Sequence, residues 1–368
     1  MTTTYNDLGV RRVVNASATL TRLGGSLMPP PVVAAMEQAA GSFVDLPELQ
    51  VRVGERIAQL THNEACYVSS GAAAGIALAV SACIAGTDPE KIAAFPYLDD
   101  PALPREVLVY QTQRNGYDYA ARQTGARLIE LGPDPEDLPE FISERTACVL
   151  WFAGAHFKPA ALPLEKVVEI AHKRGVKVLV DAAAQIPPIS NLWHFTRDVG
   201  VDAAIFSGGK GLRGPQSSGL VLGKQEIIEG CRANGSPNHS IGRPMKVGKE
   251  ELMGLLAAIE WSLGQDEPAL LARYEASVQK WIAGLSGIPG VAVERGFPSE
   301  AGQPHARAIV HIAPASGHTR DDVIAALWDG DPRVAVSPNG DDAIALNPQT
   351  LEPGEDDIVL AALRRALT

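Results

Sequence analysis

A lysine inside a glycine-rich segment is the residue of this sequence with the clearest chemical potential. Residues 207–216 read SGGKGLRGPQ and follow the apolar run 203–206, which is typical of a buried strand. A solvated surface charge is a poor explanation for Lys210 in that position. Because burial lowers the pKa of a lysine, its neutral amine becomes a nucleophile that forms Schiff bases. We predict that Lys210 is a catalytic amine.

An earlier segment has the composition of an anion site. Residues 68–75 read VSSGAAAG, so that two hydroxyls and a glycine lie between a strand-like run and an apolar helical run. The N–H groups and the dipole at the start of a helix attract anions. Serine is also a good helix N-cap, so a purely structural role for Ser69 and Ser70 stays open from this motif alone.

An aspartate ends a third segment. Residues 177–181 read KVLVD, and small residues follow Asp181. A carboxylate at the end of a buried strand must be paired or hydrogen-bonded. Asp181 could therefore bind a metal, a ribose or a protonated ring nitrogen, or it could be a structural cap.

Taken together, the three motifs meet the needs of pyridoxal 5'-phosphate. The serine–glycine turn would hold its phosphate, Asp181 would keep its pyridine nitrogen protonated, and Lys210 would form the imine. The protonated ring then acts as an electron sink. Two competing motifs fail: the G-x-G-x-x-G match at 209–214 is followed by Pro215 rather than by a helix, and Lys210 lacks the Ser or Thr that follows the lysine of a P-loop.

Seven short apolar runs must position these motifs. They alternate with helical patterns, of which residues 164–174 are the clearest, and this alternation predicts an α/β fold with a mostly parallel seven-stranded sheet. In such sheets ligands bind beyond the carboxyl ends of the strands, which is where the three motifs lie. The predicted strands are residues 65–68, 106–110, 127–130, 147–152, 176–180, 203–206 and 219–222.

Length and composition define the class of protein. The chain has 368 residues, of which 46% are hydrophobic and 20% are charged, with a formal net charge of -11. We predict an extended N-terminal arm (1–30), a large domain (31–249) and a small α+β domain (250–368). The acidic balance argues against a nucleic-acid partner, and no apolar run is long enough to span a membrane. Four scattered cysteines indicate reduced thiols in the cytoplasm and no zinc site.

Five segments resemble a known family. They are residues 14–26, 113–118, 180–188, 207–216 and 241–249, of which 207–216 is the most specific. Through them the chain resembles the type I, aspartate-aminotransferase-like pyridoxal-phosphate enzymes, and within these the selenocysteine-synthase-like group. The closer resemblance is to the D-glucosaminate-6-phosphate ammonia-lyase branch. This resemblance implies a large cofactor-binding domain followed by a small C-terminal domain.

The resemblance implies a role for each motif. Lys210 would hold the cofactor, Asp181 would pair with its ring nitrogen, and Ala183 would lie against one face of the ring. The other face would be covered from the turn at Gln113 and Arg114. The phosphate of the cofactor would be bound by Ser69, Ser70, Gly71, Ala72 and Ser207, and the phosphate in a neighbouring subunit by Ser240 and Gly242.

The resemblance also implies a substrate and a reaction. The leading prediction is loss of ammonia from a β-hydroxy amino acid such as D-glucosaminate 6-phosphate, which gives a 2-keto-3-deoxy acid. The carboxylate and any phosphate of such a substrate need cations, ideally arginines. His156 could protonate the leaving hydroxyl. The candidate substrate-binding residues are Arg22, Arg243, His156 and Arg213.

Two other functions stay open. One is another pyridoxal-phosphate reaction, catalysed by a racemase, an aldolase or a sulfur or selenium transferase; the other is ligand binding without turnover. Gly209 stands where selenocysteine synthases usually carry an acidic residue, and the acidic net charge does not suit a tRNA, so selenium transfer is disfavoured. The presence of both Lys210 and Asp181 argues against a protein without turnover. We expect a cytoplasmic homodimer or higher homo-oligomer.

Overall fold

Helices and strands alternate along most of the chain. The computed structural model describes residues 3–154 and 161–368. Its helices are α1 (Pro30–Ala40), α2 (Leu46–Leu60), α3 (Ala72–Ala85), α4 (Pro89–Ala93), α5 (Tyr119–Arg122), α6 (Leu138–Phe141), α7 (Leu164–Lys173), α8 (Asn191–Trp193), α9 (Gln225–Asn234), α10 (Lys249–Leu263), α11 (Glu267–Leu285), α12 (Arg320–Asp329) and α13 (Glu355–Leu367). Its strands are β1 (Val13–Asn15), β2 (Ala65–Ser69), β3 (Glu106–Tyr110), β4 (Arg127–Leu131), β5 (Thr146–Phe152), β6 (Lys177–Asp181), β7 (Ala203–Ser207), β8 (Gly219–Gly223), β9 (Val291–Gly296), β10 (Arg307–Ile312), β11 (Arg333–Ala335), β12 (Ser337–Asn339) and β13 (Ala343–Leu346).

The main sheet has seven strands in the order β2-β8-β7-β6-β5-β3-β4. Six of them run in the same direction, and β8 is antiparallel to both of its neighbours, β2 and β7. All seven predicted runs are strands of this sheet. The α/β fold with a mostly parallel seven-stranded sheet is therefore confirmed.

The apolar runs form strands because both faces of the sheet are covered. Every residue of β3 and of β5 is buried, which is typical of parallel strands with helices on both sides. Alternate side chains enter two separate cores: Val68 packs in one and Tyr67 in the other. Helix α3 lies within the second core, which explains why its sequence is almost entirely apolar.

The chain forms two compact units whose boundaries differ from the expected domains. The larger unit is Met28–Gln265, and the smaller one joins the N-terminal segment up to Leu27 with Asp266–Thr368. The expected boundary at residue 249 falls at the start of α10, which packs against α1 and α2 and so belongs to the larger unit. A new helix, α11, begins after this unit because the Asp266 side chain caps it by accepting from the Ala269 amide.

The N-terminal segment is packed, which corrects the expectation of an extended arm. Strand β1 pairs in parallel with β11, and the Ala16 amide donates to the Ala335 carbonyl at 2.9 Å. Val14 and Ala16 lie in the core of the smaller unit together with Trp281. Because glycine, serine and proline residues surround this short strand, the sequence pattern does not predict it.

The rest of the smaller unit is an α+β structure. An antiparallel sheet in the order β12-β13-β10-β9 packs with α11, and α12 packs with α13. Among the described residues, no helix is long and apolar enough to cross a membrane.

Candidate active site

Asp181 and Lys210 lie close together at the carboxyl edge of the main sheet. Asp181 ends β6 and is only 8% exposed, and its Oδ1 accepts a hydrogen bond from the Ala183 amide at 2.9 Å. Burial raises the pKa of the Asp181 carboxyl, while this amide and the charge of Lys210 act in the opposite direction. Asp181 pairs with Ile205 across β6 and β7, so the segment that carries Lys210 begins beside this carboxylate.

The loop that carries Lys210 is held by its own backbone. The Gly208 amide donates to the Ser218 carbonyl and the Gly214 amide to the Gly208 carbonyl, both at 2.8 Å. A Cβ on Gly211 would lie 2.1 Å from the carbonyl oxygen of Ile186, so only glycine allows the loop to approach that backbone. The loop is thus a fixed platform for the half-buried Lys210.

Ser218 also belongs to this platform, although no sequence motif marks it. Its hydroxyl donates to the Pro215 carbonyl at 2.6 Å, and its carbonyl accepts from Gly208. A serine before a strand is common. The only sequence signal for a role of Ser218 is its position next to a glycine-rich segment.

The turn after β2 provides an anion-binding helix start. Gly71 precedes α3 with a φ of 126°, and no side chain caps the first amides of that helix. These N–H groups lack an acceptor within the helix and are available to an anion. Ser69 is fully buried and donates to the Gly71 carbonyl at 2.8 Å, so its hydroxyl shapes the turn from within.

This turn lies beside the end of β7. Ser207 pairs with Gly219 across β7 and β8. A Cβ on Gly219 would lie 2.6 Å from the carbonyl carbon of Gly71 and 2.9 Å from the Ala72 nitrogen. The first turn of α3 and the carboxyl end of β7 therefore meet over Gly219, at the same edge of the sheet as Asp181.

Comparison with known proteins identifies the family. Residues 113–239 match the aminotransferase class-V family. The chain is 26% identical to the L-seryl-tRNA(Sec) selenium transferase of Desulfomicrobium baculatum, over 97% of this chain and 83% of that protein. It is 30% identical to the D-glucosaminate-6-phosphate ammonia lyase of Salmonella typhimurium, over 98% of this chain and 96% of that protein. The chain belongs to the selenocysteine-synthase-like group of type I pyridoxal-phosphate enzymes.

Two further matches refine this placement. A solved structure of D-glucosaminate-6-phosphate ammonia-lyase has a TM-score of 0.85 and 30% identity, and the match covers 100% of this chain and 99% of that chain. The 5'-C-glycyluridine monooxygenase-decarboxylase of a Streptomyces species is 33% identical over 85% of this chain and 78% of that protein. Membership confirms pyridoxal 5'-phosphate as the cofactor, and the matches to the ammonia-lyase confirm the predicted class, a lyase that depends on it.

The residues at the sheet edge fit this cofactor. Its phosphate needs donors, which the uncapped start of α3 and the partly buried Ser70 and Ser207 offer. Its ring nitrogen needs an anion, and Asp181 is a buried carboxylate close to an amine. The attachment of the cofactor to Lys210 stays a prediction.

The turn that was expected to cover the cofactor ring has other contacts. Gln113 is fully buried; its Oε1 accepts from the Phe152 amide at 3.1 Å, and its Nε2 donates to the Phe152 carbonyl at 3.4 Å. Arg114 forms ion pairs with Asp118, at 2.5 Å, and with Glu130. In the structure these two side chains hold the end of β5 and the adjacent turn.

Ser240 and Gly242, in the segment after α9, both donate to the carbonyl of Asn234, the last residue of that helix. The Ser240 hydroxyl donates to the Asn234 carbonyl at 2.5 Å, and the Gly242 amide donates to the same oxygen at 2.9 Å. Their role toward a neighbouring subunit stays a prediction.

The candidate substrate residues are spread over the chain. Arg213 is part of the Lys210 loop, where its amide donates to the Lys210 carbonyl at 3.0 Å and its guanidinium lies 5.6 Å from the ring centre of Trp261. Arg243 is exposed, and its side chain has no acceptor within the described part of the chain. Arg22 belongs to the smaller unit and lies over Trp328. His156 falls outside the described residues.

The close contact at Gly219 leads to a prediction. Gly219→Ala should weaken cofactor binding by about 10-fold, because overpacking against backbone costs roughly 1–3 kcal/mol. Equilibrium titration of the cofactor-free protein with pyridoxal phosphate measures this loss. Gly116→Ala is the matched control, since a Cβ there meets nothing within 4 Å. Equal affinity in both variants would show that the turn does not hold the phosphate.

Proposed function

We propose that this enzyme removes ammonia from a β-hydroxy amino acid, such as D-glucosaminate 6-phosphate, and releases a 2-keto-3-deoxy acid. The observation that carries the proposal is the placement of Asp181 and the Lys210 loop at the ends of neighbouring strands, in a chain that matches a named ammonia-lyase over almost its whole length. The overall change is balanced: the β-hydroxyl leaves as water, and a second water supplies the keto oxygen as ammonia departs.

Each residue of the site has a task in this reaction. Bound pyridoxal phosphate supplies the electron sink that acidifies the proton on Cα of the amino acid. Lys210 Nζ removes that proton, which is general-base work at a short distance. Asp181 holds a positive charge at the ring nitrogen, and the fixed Lys210 loop keeps the amine in place. Ser70, Ser207 and the amides of Gly71 and Ala72 bind the phosphate.

Cations must hold the two ends of the substrate. We assign the substrate carboxylate or phosphate to Arg243 and Arg213, because Arg243 is unpaired within the described residues and Arg213 adjoins Lys210. Arg22 is a further candidate. His156 would donate a proton to the departing hydroxyl.

A second reaction is favoured by one specific observation. The Streptomyces relative, 33% identical, is named as a monooxygenase-decarboxylase rather than as a lyase. An enzyme of that type would consume oxygen and release carbon dioxide. The same lysine and aspartate would serve both reactions, so the products have to distinguish them.

Product analysis tests the proposal. The purified enzyme is incubated with D-glucosaminate 6-phosphate, with and without oxygen, while ammonia, keto acid, carbon dioxide and oxygen uptake are measured. Ammonia and keto acid in equal amounts, independent of oxygen, support the lyase. Oxygen uptake with carbon dioxide release would instead assign the second reaction. Lys210→Ala serves as the background control in both cases.

We also propose the assembly and location of the enzyme. Type I enzymes build their sites from two chains, so we expect at least a homodimer in which Ser240 and Gly242 approach the neighbouring cofactor. The net charge of -11 argues for a small-molecule partner rather than a nucleic acid. We place the enzyme in the cytoplasm. Light scattering of the purified protein would reveal a monomer if this assembly is wrong.

A further inference from the structure

A cavity of about 370 Å³ lies at the edge of the main sheet, apart from Lys210 and Asp181. Helices α2, α9 and α10, the edge strand β2 and the segment that follows α9 line it. Its volume falls at the lower end of the range for small-molecule sites, roughly 300–1,000 Å³. The cavity can therefore hold a molecule with only a few carbon atoms.

Two opposite charges on one helix line this cavity. Glu229 and Arg232 are three residues apart on α9, so their side chains lie on the same face. They form no ion pair with each other: within the described part of the chain the Arg232 side chain has no acceptor, and its Nε is buried. Glu229 accepts a hydrogen bond from Gln225 at 2.9 Å.

The positive charge of Arg232 reaches the inner wall of the cavity. Tyr67, on β2, is almost completely buried, and burial raises the pKa of its hydroxyl to about 12. The Arg232 guanidinium acts in the opposite direction on this pKa, as a nearby cation does. A carboxylate that enters the cavity would meet the same cation in a partly desolvated place.

Much of the remaining wall is apolar. Leu46, Pro47, Val247 and Leu252 contribute aliphatic surface. Two polar groups of the wall donate to backbone carbonyls: Gln50 Nε2 to Val68 at 2.7 Å and Asn238 Nδ2 to Arg232 at 2.9 Å. Gln50 Oε1 is buried and has no partner within the described residues. An apolar group of the ligand would be buried here, and the site would need little rearrangement.

We propose that this cavity binds a free α-amino acid with a short aliphatic side chain. Arg232 would pair with its carboxylate, Glu229 with its ammonium, and the aliphatic wall would cover its side chain. One cation, one anion and an apolar wall match the three parts of such a molecule. A ligand that carries only a carboxylate would pair with Arg232 but would offer no positive charge to Glu229.

Calorimetric titration of the holoenzyme tests the proposal with four probes: L-leucine, D-leucine, 4-methylpentanoate and 3-methylbutylamine. We expect one-site binding of a leucine enantiomer, weaker binding of 4-methylpentanoate, and no binding of the amine. Arg232→Gln should weaken leucine binding by at least about 10-fold, because a hydrogen bond to a charged group is lost. Arg232→Lys should restore part of it. Arg174→Gln, an exposed arginine outside the cavity, is the matched control.

A second variant, Glu229→Gln, and borohydride reduction of the cofactor linkage provide two further tests of the proposed site. Glu229→Gln should remove the preference for leucine over 4-methylpentanoate, whether or not Arg232→Gln folds. Borohydride reduction of the holoenzyme should leave leucine binding unchanged, since the cavity is separate from Lys210. Absence of saturable binding, equal binding in Arg232→Gln, or loss of binding after reduction would each overturn the proposal. None of these results depends on which reaction the enzyme catalyses.

Discussion

Lys210→Ala should reduce turnover by at least roughly 10²–10⁴-fold, the contribution of a positioned general base. The loss should be larger still if the covalent hold on the cofactor also contributes to catalysis. The loop around this residue is closed by backbone hydrogen bonds, so the fold should persist. Ammonia release from an amino-acid substrate measures the effect, and added small amines should restore part of the activity.

A surface lysine provides the control for this variant. Lys224 lies in the same unit, has a side chain that is 51% exposed, and pairs with Glu64 at 3.5 Å. Exposed ion pairs contribute little to stability, so Lys224→Ala should keep full activity. If Lys210→Ala kept more than a tenth of wild-type activity with unchanged cofactor content, the role assigned to Lys210 would be wrong.

Asp181→Asn should lower activity by roughly 10- to 100-fold, because a hydrogen bond between charged groups is worth about 1.5–3 kcal/mol. Asparagine retains an oxygen for the Ala183 amide but cannot hold a proton on the ring nitrogen by its charge. Asp202→Asn is a useful comparison, since Asp202 is also a buried carboxylate and pairs with His172 at 2.9 Å away from the site. Steady-state kinetics with saturating cofactor should show the loss of activity in Asp181→Asn and not in Asp202→Asn.

The same variant should behave differently in stability measurements. Burial raises the pKa of Asp181 in the folded, cofactor-free protein, so the folded chain binds this proton more tightly than the unfolded chain. The stabilisation that this proton provides is complete at acidic pH and is lost as the pH rises through the raised pKa. At neutral pH, cofactor-free Asp181→Asn should therefore melt at the same temperature as wild type or higher.

That pattern separates a functional carboxylate from a structural one. The difference in melting temperature between Asp181→Asn and wild type should shrink as the pH falls toward the ordinary carboxyl range, because both proteins then carry a neutral side chain at position 181. Thermal melts of cofactor-free protein across that range measure it. A lower melting temperature for the variant at neutral pH would indicate that the carboxylate serves mainly to hold the Ala183 turn.

The sequence predicts the main sheet well because its strands are buried on both faces. Runs such as 147–152 are continuously apolar, and the structure extends this one by a single residue to Thr146–Phe152. The three chemical motifs follow such strands directly, so their convergence at one sheet edge follows from parallel topology. Lys210 and Asp181 could thus be brought together without a structure.

Features that depend on distant contacts could not be predicted. Val13–Asn15 is a strand only because Arg333–Ala335, far along the chain, pairs with it. The boundary at 265/266 depends on how α10 packs, which its sequence pattern does not reveal. Likewise, nothing in the residue types indicates that Ser69 is turned inward or that Arg114 is paired with Asp118.

The covalent attachment of the cofactor to Lys210 is the central claim, and one measurement tests it most directly. The purified protein is loaded with pyridoxal phosphate, reduced with borohydride, digested and analysed by mass spectrometry, with Lys210→Ala treated in parallel. We predict a pyridoxyl-phosphate adduct on the peptide that contains residues 207–216, at Lys210 and nowhere else. An unmodified Lys210 in loaded wild-type protein, or the adduct on another lysine, would contradict it.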